Sequence, residues 1–118
     1  MTEAENPKTN EITFEDFLKL DIRIGKILEA NPVSGSKKLV QLKVDFGSEQ
    51  RQCIAGIAKY YKPEELVGKK LSFLLNLQKR MIAGLESQCM ILAAEDETGI
   101  VSVLTPDKAD VGLGSKIG

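Results

Sequence analysis

The residues best equipped for chemistry are cations. Residues 37–80 hold Lys37, Lys38, Lys43, Arg51, Lys59, Lys62, Lys69, Lys70, Lys79 and Arg80 against four carboxylates, a local charge of +6 in a chain whose net charge is -1. A block of this kind suits a polyanion. Ammonium groups neutralise phosphates as point charges, and a guanidinium holds two phosphate oxygens at once. The same lysines would equally serve to decorate solvated strand edges and loops. Other chemistries are short of parts. The chain has no His, which excludes Ser-His and Cys-His nucleophiles and His-bound metals within one chain. Its two cysteines, Cys53 and Cys89, are too few for a disulfide framework or a Cys-only zinc site. They read as small apolar core residues in a reducing cytoplasm, with a disulfide as the alternative if they sit on neighbouring strands. Without a metal cluster or a phosphate loop, the expectation is a protein that is not an enzyme and needs no cofactor.

The elements that must carry these cations fit in one domain. At 118 residues and 42% hydrophobic, the chain buries enough surface to fold without staples. No run approaches the roughly 18 apolar residues of a membrane span, and the polar N-terminus shows no secretory signal. A cytoplasmic protein with no membrane partner is expected. Residues 1–11 have no large apolar side chain after Met1 and read as a flexible tail, leaving 12–118 as the domain.

Thr13-Phe14-Glu15-Asp16 fits a capping box, with Thr13 as N-cap and a staple between Ile12 and Phe17. A helix over 14–19 follows, too short to stand without docking on something. In residues 21–30 the apolar alternation slips after Gly25, which reads as a bulge in a long bent strand. Residues 38–46 alternate cleanly, with Val40, Leu42, Val44 and Phe46 on one face. Gly47-Ser48 turns the chain into a return strand from Arg51 to Ile57. Pro63 and Gly68 bracket a short connecting helix, with Glu64 and Glu65 placed for its N-terminal dipole. Further strands are expected over 70–77, 87–94 and 100–104, with a turn at Glu95–Gly99. The order predicts a mainly β fold: a five-stranded Greek-key OB-fold barrel with a short N-terminal helix, a short connecting helix and a C-terminal extension.

From Ile12 to about Lys116 the chain resembles the family of tRNA-binding OB-fold domains, found as standalone dimeric proteins and as the C-terminal extension of methionyl-tRNA synthetases. Four segments carry the likeness. Phe17 to Gly25 resembles the family's opening strand, and Gly35-Ser36-Lys37-Lys38-Leu39 its first basic loop. Ala55 to Tyr61 with Pro63 to Lys69 resembles its central connection. Asn76-Leu77, Gly84, Ser87-Gln88 and Met90-Ile91-Leu92 resemble its signature. The family pattern has Pro where Lys79 stands, a basic residue where Met81 stands, and Gly or Ala where Cys89 stands.

The resemblance implies a non-catalytic tRNA-binding module, alone or in trans with an aminoacyl-tRNA synthetase, that holds the tRNA fold by shape and has little preference for the amino acid carried. The RNA-binding residues it implies are Lys37, Lys38, Asn76, Lys79, Arg80, Ser87, Gln88 and Met90. Read from their types alone, Asn76, Ser87 and Gln88 could as well cap turns or bond backbone, and Met90 could be core. Tyr60 and Tyr61 could stack on a base or pack under the connecting helix. The resemblance also implies a homodimer, with the apolar edge of the first helix and residues 100–117 as candidate interfaces. The competing reading is a dimeric OB-fold chaperone for exported polypeptides. It calls for an exposed apolar groove in place of a basic one.

Overall fold

A computed structural model of the chain describes residues 10–118, so most of the tail expected over 1–11 lies outside the described residues. In chain order the elements are helix α1 (Phe14–Leu18), strands β1 (Ile22–Pro32), β2 (Val40–Asp45) and β3 (Gln50–Ala55), helix α2 (Pro63–Leu66), then β4 (Lys70–Leu74), β5 (Arg80–Ile82), β6 (Leu85–Ser87), β7 (Met90–Ile91), β8 (Ala93–Glu95) and β9 (Val101–Val103). Five strands form one curled sheet in the order β3-β2-β1-β4-β7. Strands β5 and β6, and β8 and β9, form two separate hairpins.

Strand β1 organises the curl. Its first half, Ile22 to Lys26, pairs with β4, and its second half, Lys26 to Pro32, pairs with β2. One strand serving two directions must bend, and it does so through an irregularity between Ile27 and Glu29. The bulge therefore falls just past Gly25, where the slipped alternation had pointed. Gly25 has a different job: a Cβ there would lie 2.6 Å from both Phe46 and Val44. Bare backbone at Gly25 lets the Phe46 ring pack against the strand and meet Phe73 edge-on, with centroids 5.5 Å apart.

The β2 alternation holds. Val40, Leu42 and Val44 are fully buried and Lys43 is exposed. They pack with Ile27, Cys53, Leu66, Leu71 and Phe73 in one core. Helix α2 begins at Pro63, and the Lys62 backbone N–H donates to the Glu65 carboxylate at 2.7 Å. Its one buried residue, Leu66, fills the core from the end of the barrel. Gly68 then turns at a φ of 89°, and the chain is stitched to β1 by Gly68 N–H to Ile27 O and Ile27 N–H to Lys69 O.

The expected strand over 87–94 is not continuous. It is split into the end of β6, the two-residue β7, and β8. The hairpin from Arg80 to Ser87 was expected as loop and strand end. It turns through Ala83 and Gly84, both at positive φ (53° and 80°), as a two-residue hairpin turn requires. After β9 the chain returns to β1, where Ile24 N–H donates to Ser115 O, Gly114 N–H to Ile24 O, and Ile117 N–H to Ile22 O. The last part of the expected 100–117 interface is thus spent on the barrel itself.

Helix α1 is capped as expected, with the Thr13 hydroxyl accepting from Asp16 N–H at 3.0 Å. The Asp16 side chain does not complete the box; it takes the Lys19 ammonium at 3.0 Å. Phe17 stacks on Phe14 rather than stapling to Ile12, which is 68% exposed. Among the described residues no helix is long and apolar enough to cross a membrane.

Candidate nucleic-acid interface

The signature residues converge where the barrel closes. Its two edge strands, β3 and β7, share no ladder, so their backbone groups need other partners. Gln88 N–H donates to Gln52 O at 2.8 Å. The Gln88 side-chain oxygen accepts from Gln52 N–H at 2.9 Å, and the Ser87 hydroxyl accepts from Ile54 N–H at 3.0 Å. That hydroxyl donates onward to Cys89 O at 3.1 Å. Ser87 is 5% exposed. Its polar capacity is turned inward, and it holds the seam.

Asn76 is likewise committed to backbone. Its carbonyl accepts from Asp21 N–H at 2.9 Å, and its amide donates to Lys19 O at 2.6 Å. It ties the end of β4 to the chain leaving α1. Three of the eight residues expected to contact RNA therefore make backbone bonds in the fold, as their types alone allowed. Met90 is half-buried and pairs with Leu74.

The cations are placed differently. Lys79 and Arg80 are exposed, on the approach to β5, and Arg80 pairs with Ser87 in the hairpin. Lys79 helps line a cleft of about 170 Å³ with Glu49, Gln50, Arg51 and Gln88. A larger open cleft of about 570 Å³ adjoins it, and Asp21, Arg23, Glu49, Arg51 and Ser48 are among its lining residues.

Arg51, which sequence reasoning left among the undifferentiated cations, stands between the two clefts. Its Nε and Nη2 donate to the Glu49 carboxylate at 2.8 and 3.3 Å, and its Nη1 donates to Leu75 O and Gln88 O. The guanidinium beside Glu49 holds that carboxyl below its ordinary value, chiefly through the hydrogen bond, and the bond raises Arg51 in turn. Arg51 is thereby a strut joining β3 to the ends of two other segments. The signal was present: Glu49 and Arg51 are two apart, on one face of an extended chain.

Lys37 and Lys38 are exposed on the loop between β1 and β2. That loop lies at the Val40–Ala55 end of the β2–β3 pair, whereas Lys79 shares its cleft with Gln50 at the Asp45–Gln50 end. Five residue steps separate the two ends, roughly 17 Å of strand. The structure thus does not gather the proposed cations at one point: Lys37 and Lys38 lie at one end of the hairpin and Lys79 at the other, while Arg80 pairs with Ser87, whose hydroxyl bonds Ile54 one residue from Ala55.

The cysteines do lie close together. Both are buried in the core. The hydrogen bond to Cys53, together with burial, holds the Cys89 thiol above the ordinary thiol range. Such a thiol carries negligible thiolate and makes a poor nucleophile.

Residues 22–116 match the family model described as "Putative tRNA binding domain". The methionine–tRNA ligase of Caldanaerobacter subterraneus is 50% identical over 115 residues, 98% of this chain but 18% of that protein. The chain thus spans under a fifth of the length of that curated relative. Among solved structures, a MetRS related protein from Pyrococcus horikoshii superposes with a TM-score of 0.88 at 36% identity, covering 92% of this chain and 99% of that one. The chaperone CsaA of Bacillus anthracis gives 0.82 at 34% identity, covering 92% and 99%.

Proposed function

The chain belongs to the tRNA-binding domain family, and we propose that it is a non-catalytic module that holds the tRNA fold through phosphate contacts along one side of an OB barrel. The supporting observation is the arrangement at the closing seam. Ser87, Gln88 and Arg51 fix the strand ends by hydrogen bonds to backbone, and exposed Lys79 and Arg80 project beside them. In this reading Lys37, Lys38, Lys79 and Arg80 touch the RNA, and Asn76, Ser87, Gln88 and Met90 position the surface that carries them. Preorganised cations on a rigid frame bind phosphate at a smaller ordering cost than free side chains do.

The module acts alone or in trans with an aminoacyl-tRNA synthetase, in the cytoplasm where its RNA is. It works as a homodimer whose contact is the apolar face of α1. Phe14 is 72% exposed there, and the five-residue helix buries none of its own residues. A second copy would cover that face and double the cationic surface.

The test is retention of total tRNA against a length-matched unstructured RNA. Preferential, salt-sensitive retention of tRNA supports the reading, and equal weak binding of both RNAs removes it. The likeness to a chaperone favours a second reading, in which exposed Ile12, Phe14, Leu18 and Met81 hold unfolded polypeptide. Apolar binding of that kind would persist at salt concentrations that release RNA.

A further inference from the structure

Two adjacent tyrosines have been given different environments. Tyr61 is half-buried; its hydroxyl accepts from Val103 N–H at 3.1 Å, and the Lys69 ammonium lies 5.4 Å from its ring centroid. It locks the start of the C-terminal extension to the barrel. Tyr60 is 46% exposed and its hydroxyl makes no hydrogen bond among the described residues. An aromatic ring left so open on a surface with few aromatics invites a ligand with a flat face.

The backbone around Tyr60 is fixed. Tyr60 and Tyr61 both donate to Ile57 O, at 2.9 and 3.1 Å, in a tight turn. Ala58 N–H donates to Lys38 O at 3.0 Å, which docks this turn against the loop of Lys37 and Lys38. Lys59 and Lys62 are exposed on the same turn. The nearest carboxylates in sequence are Glu64 and Glu65, and Glu65 is engaged with the Lys62 backbone. The ion pairs of the described residues use Lys19, Arg23, Lys43 and Arg51, all elsewhere. Four cations and one open ring therefore share the end of the β2–β3 hairpin opposite Lys79.

We propose that Tyr60 is a stacking contact for an unpaired base of the bound RNA, with Lys37, Lys38 and Lys59 on the flanking phosphates. The inference rests on the reading of the chain as an RNA binder and adds a second anchoring point to it. Tyr60 with its lysines and Lys79 lie toward opposite ends of a hairpin roughly 17 Å long, which suits a folded RNA that presents a splayed base and a separate backbone segment together.

The test compares tRNA affinity, across a salt series, for wild type, Tyr60→Phe and Tyr60→Leu, with thermal unfolding of each. Tyr60→Phe keeps the ring and is expected to bind as wild type. Tyr60→Leu keeps apolar bulk but loses the π face, and is expected to weaken binding roughly 5- to 150-fold with the salt slope unchanged. The chain has no Trp and two Tyr, so its ultraviolet fluorescence offers a second readout. In a Tyr61→Phe protein, where Tyr60 is the only emitter, tRNA is expected to quench the emission beyond the inner-filter loss of a free tyrosine control. Wild-type affinity in Tyr60→Leu, or a loss that tracks a fall in stability, overturns the stacking contact while leaving tRNA binding intact. Absence of any tRNA preference in the wild type, or a preference for unfolded polypeptide, overturns both.

Discussion

The side-chain oxygen of Gln88 accepts the backbone N–H of Gln52 at 2.9 Å, so a side chain occupies the place of a ladder bond between β3 and β7. The Ser87 hydroxyl at the end of β6 does the same for Ile54, two residues further along β3. A barrel closed this way needs no continuous final strand, and β7 can be two residues long. Two residues of the tRNA-binding signature thus bond backbone in the fold, and on the function proposed above their effect on RNA passes through the surface they hold.

Asn76 is expected to matter for the attachment of α1. Replacing it with Ala removes the bonds to Asp21 N–H and Lys19 O. Because both lie near the surface, the loss should be about 1–2 kcal/mol, read by denaturant unfolding. Amide exchange over residues 13–21 should accelerate more than exchange in β2. Uniform acceleration across the barrel would show that Asn76 does not act locally.

Gly25 is a packing requirement, since its φ is unexceptional and its hydrogen atoms face Phe46 and Val44. Gly25→Ala would press a methyl group to within 2.6 Å of both rigid neighbours. Overpacking of this kind costs about 1–3 kcal/mol. A melting temperature equal to the wild type would contradict this account of the β1–Phe46 crossing.

Ala83 occupies the left-handed region at a φ of 53°, a conformation that strains a residue with a Cβ. Asn tolerates it better, so Ala83→Asn is expected to stabilise the β5–β6 hairpin by roughly 0.5–1 kcal/mol. Thermal unfolding would show the midpoint rising, and a fall would mean that the methyl group contributes packing.

The Glu49–Arg51 pair gives the fold a sensitivity to acid. In the folded chain the Glu49 carboxyl is held below its ordinary value of 4.5, chiefly by the hydrogen bond from Arg51. A lowered folded value means that the carboxylate favours the fold above that ordinary value, and that this contribution fades as pH falls through the lower one. Glu49→Gln is expected to flatten the acid limb of a stability-against-pH curve. NMR titration should place the Glu49 midpoint below the ordinary carboxylate value of 4.5.

What was legible in the sequence is what depends on local period. Val40, Leu42 and Val44 alternate and form the core face of β2, and Pro63 and Gly68 bracket α2. The β5–β6 hairpin was missed because Ala83-Gly84 lacks the Asn-Gly or Asp-Gly signal of such turns, and its strands are three residues each. The backbone partners of Asn76, Ser87 and Gln88 were illegible for another reason. Their partners, Asp21, Ile54 and Gln52, lie 33 to 55 residues away, and a polar side chain in sequence carries no mark of whether it faces ligand or backbone. The cations were found as a block, but the placement of Lys37 and Lys38 at one end of the hairpin and Lys79 at the other depends on sheet register.

The central claim is that Lys79 and Arg80 touch the RNA and Ser87 holds the surface in place. The direct measurement is the salt dependence of tRNA affinity for wild type, Lys79→Ala/Arg80→Ala and Ser87→Ala, each well below its unfolding temperature. Each lost phosphate contact reduces the slope of log affinity against log salt by about 0.7–0.9. The double variant should therefore be shallower by about 1.5 at unchanged stability. Ser87→Ala should lower the unfolding free energy by about 1–3 kcal/mol and keep the wild-type slope. A Ser87→Ala protein that melts like the wild type yet loses tRNA, or a double variant whose slope is unchanged, would contradict the account.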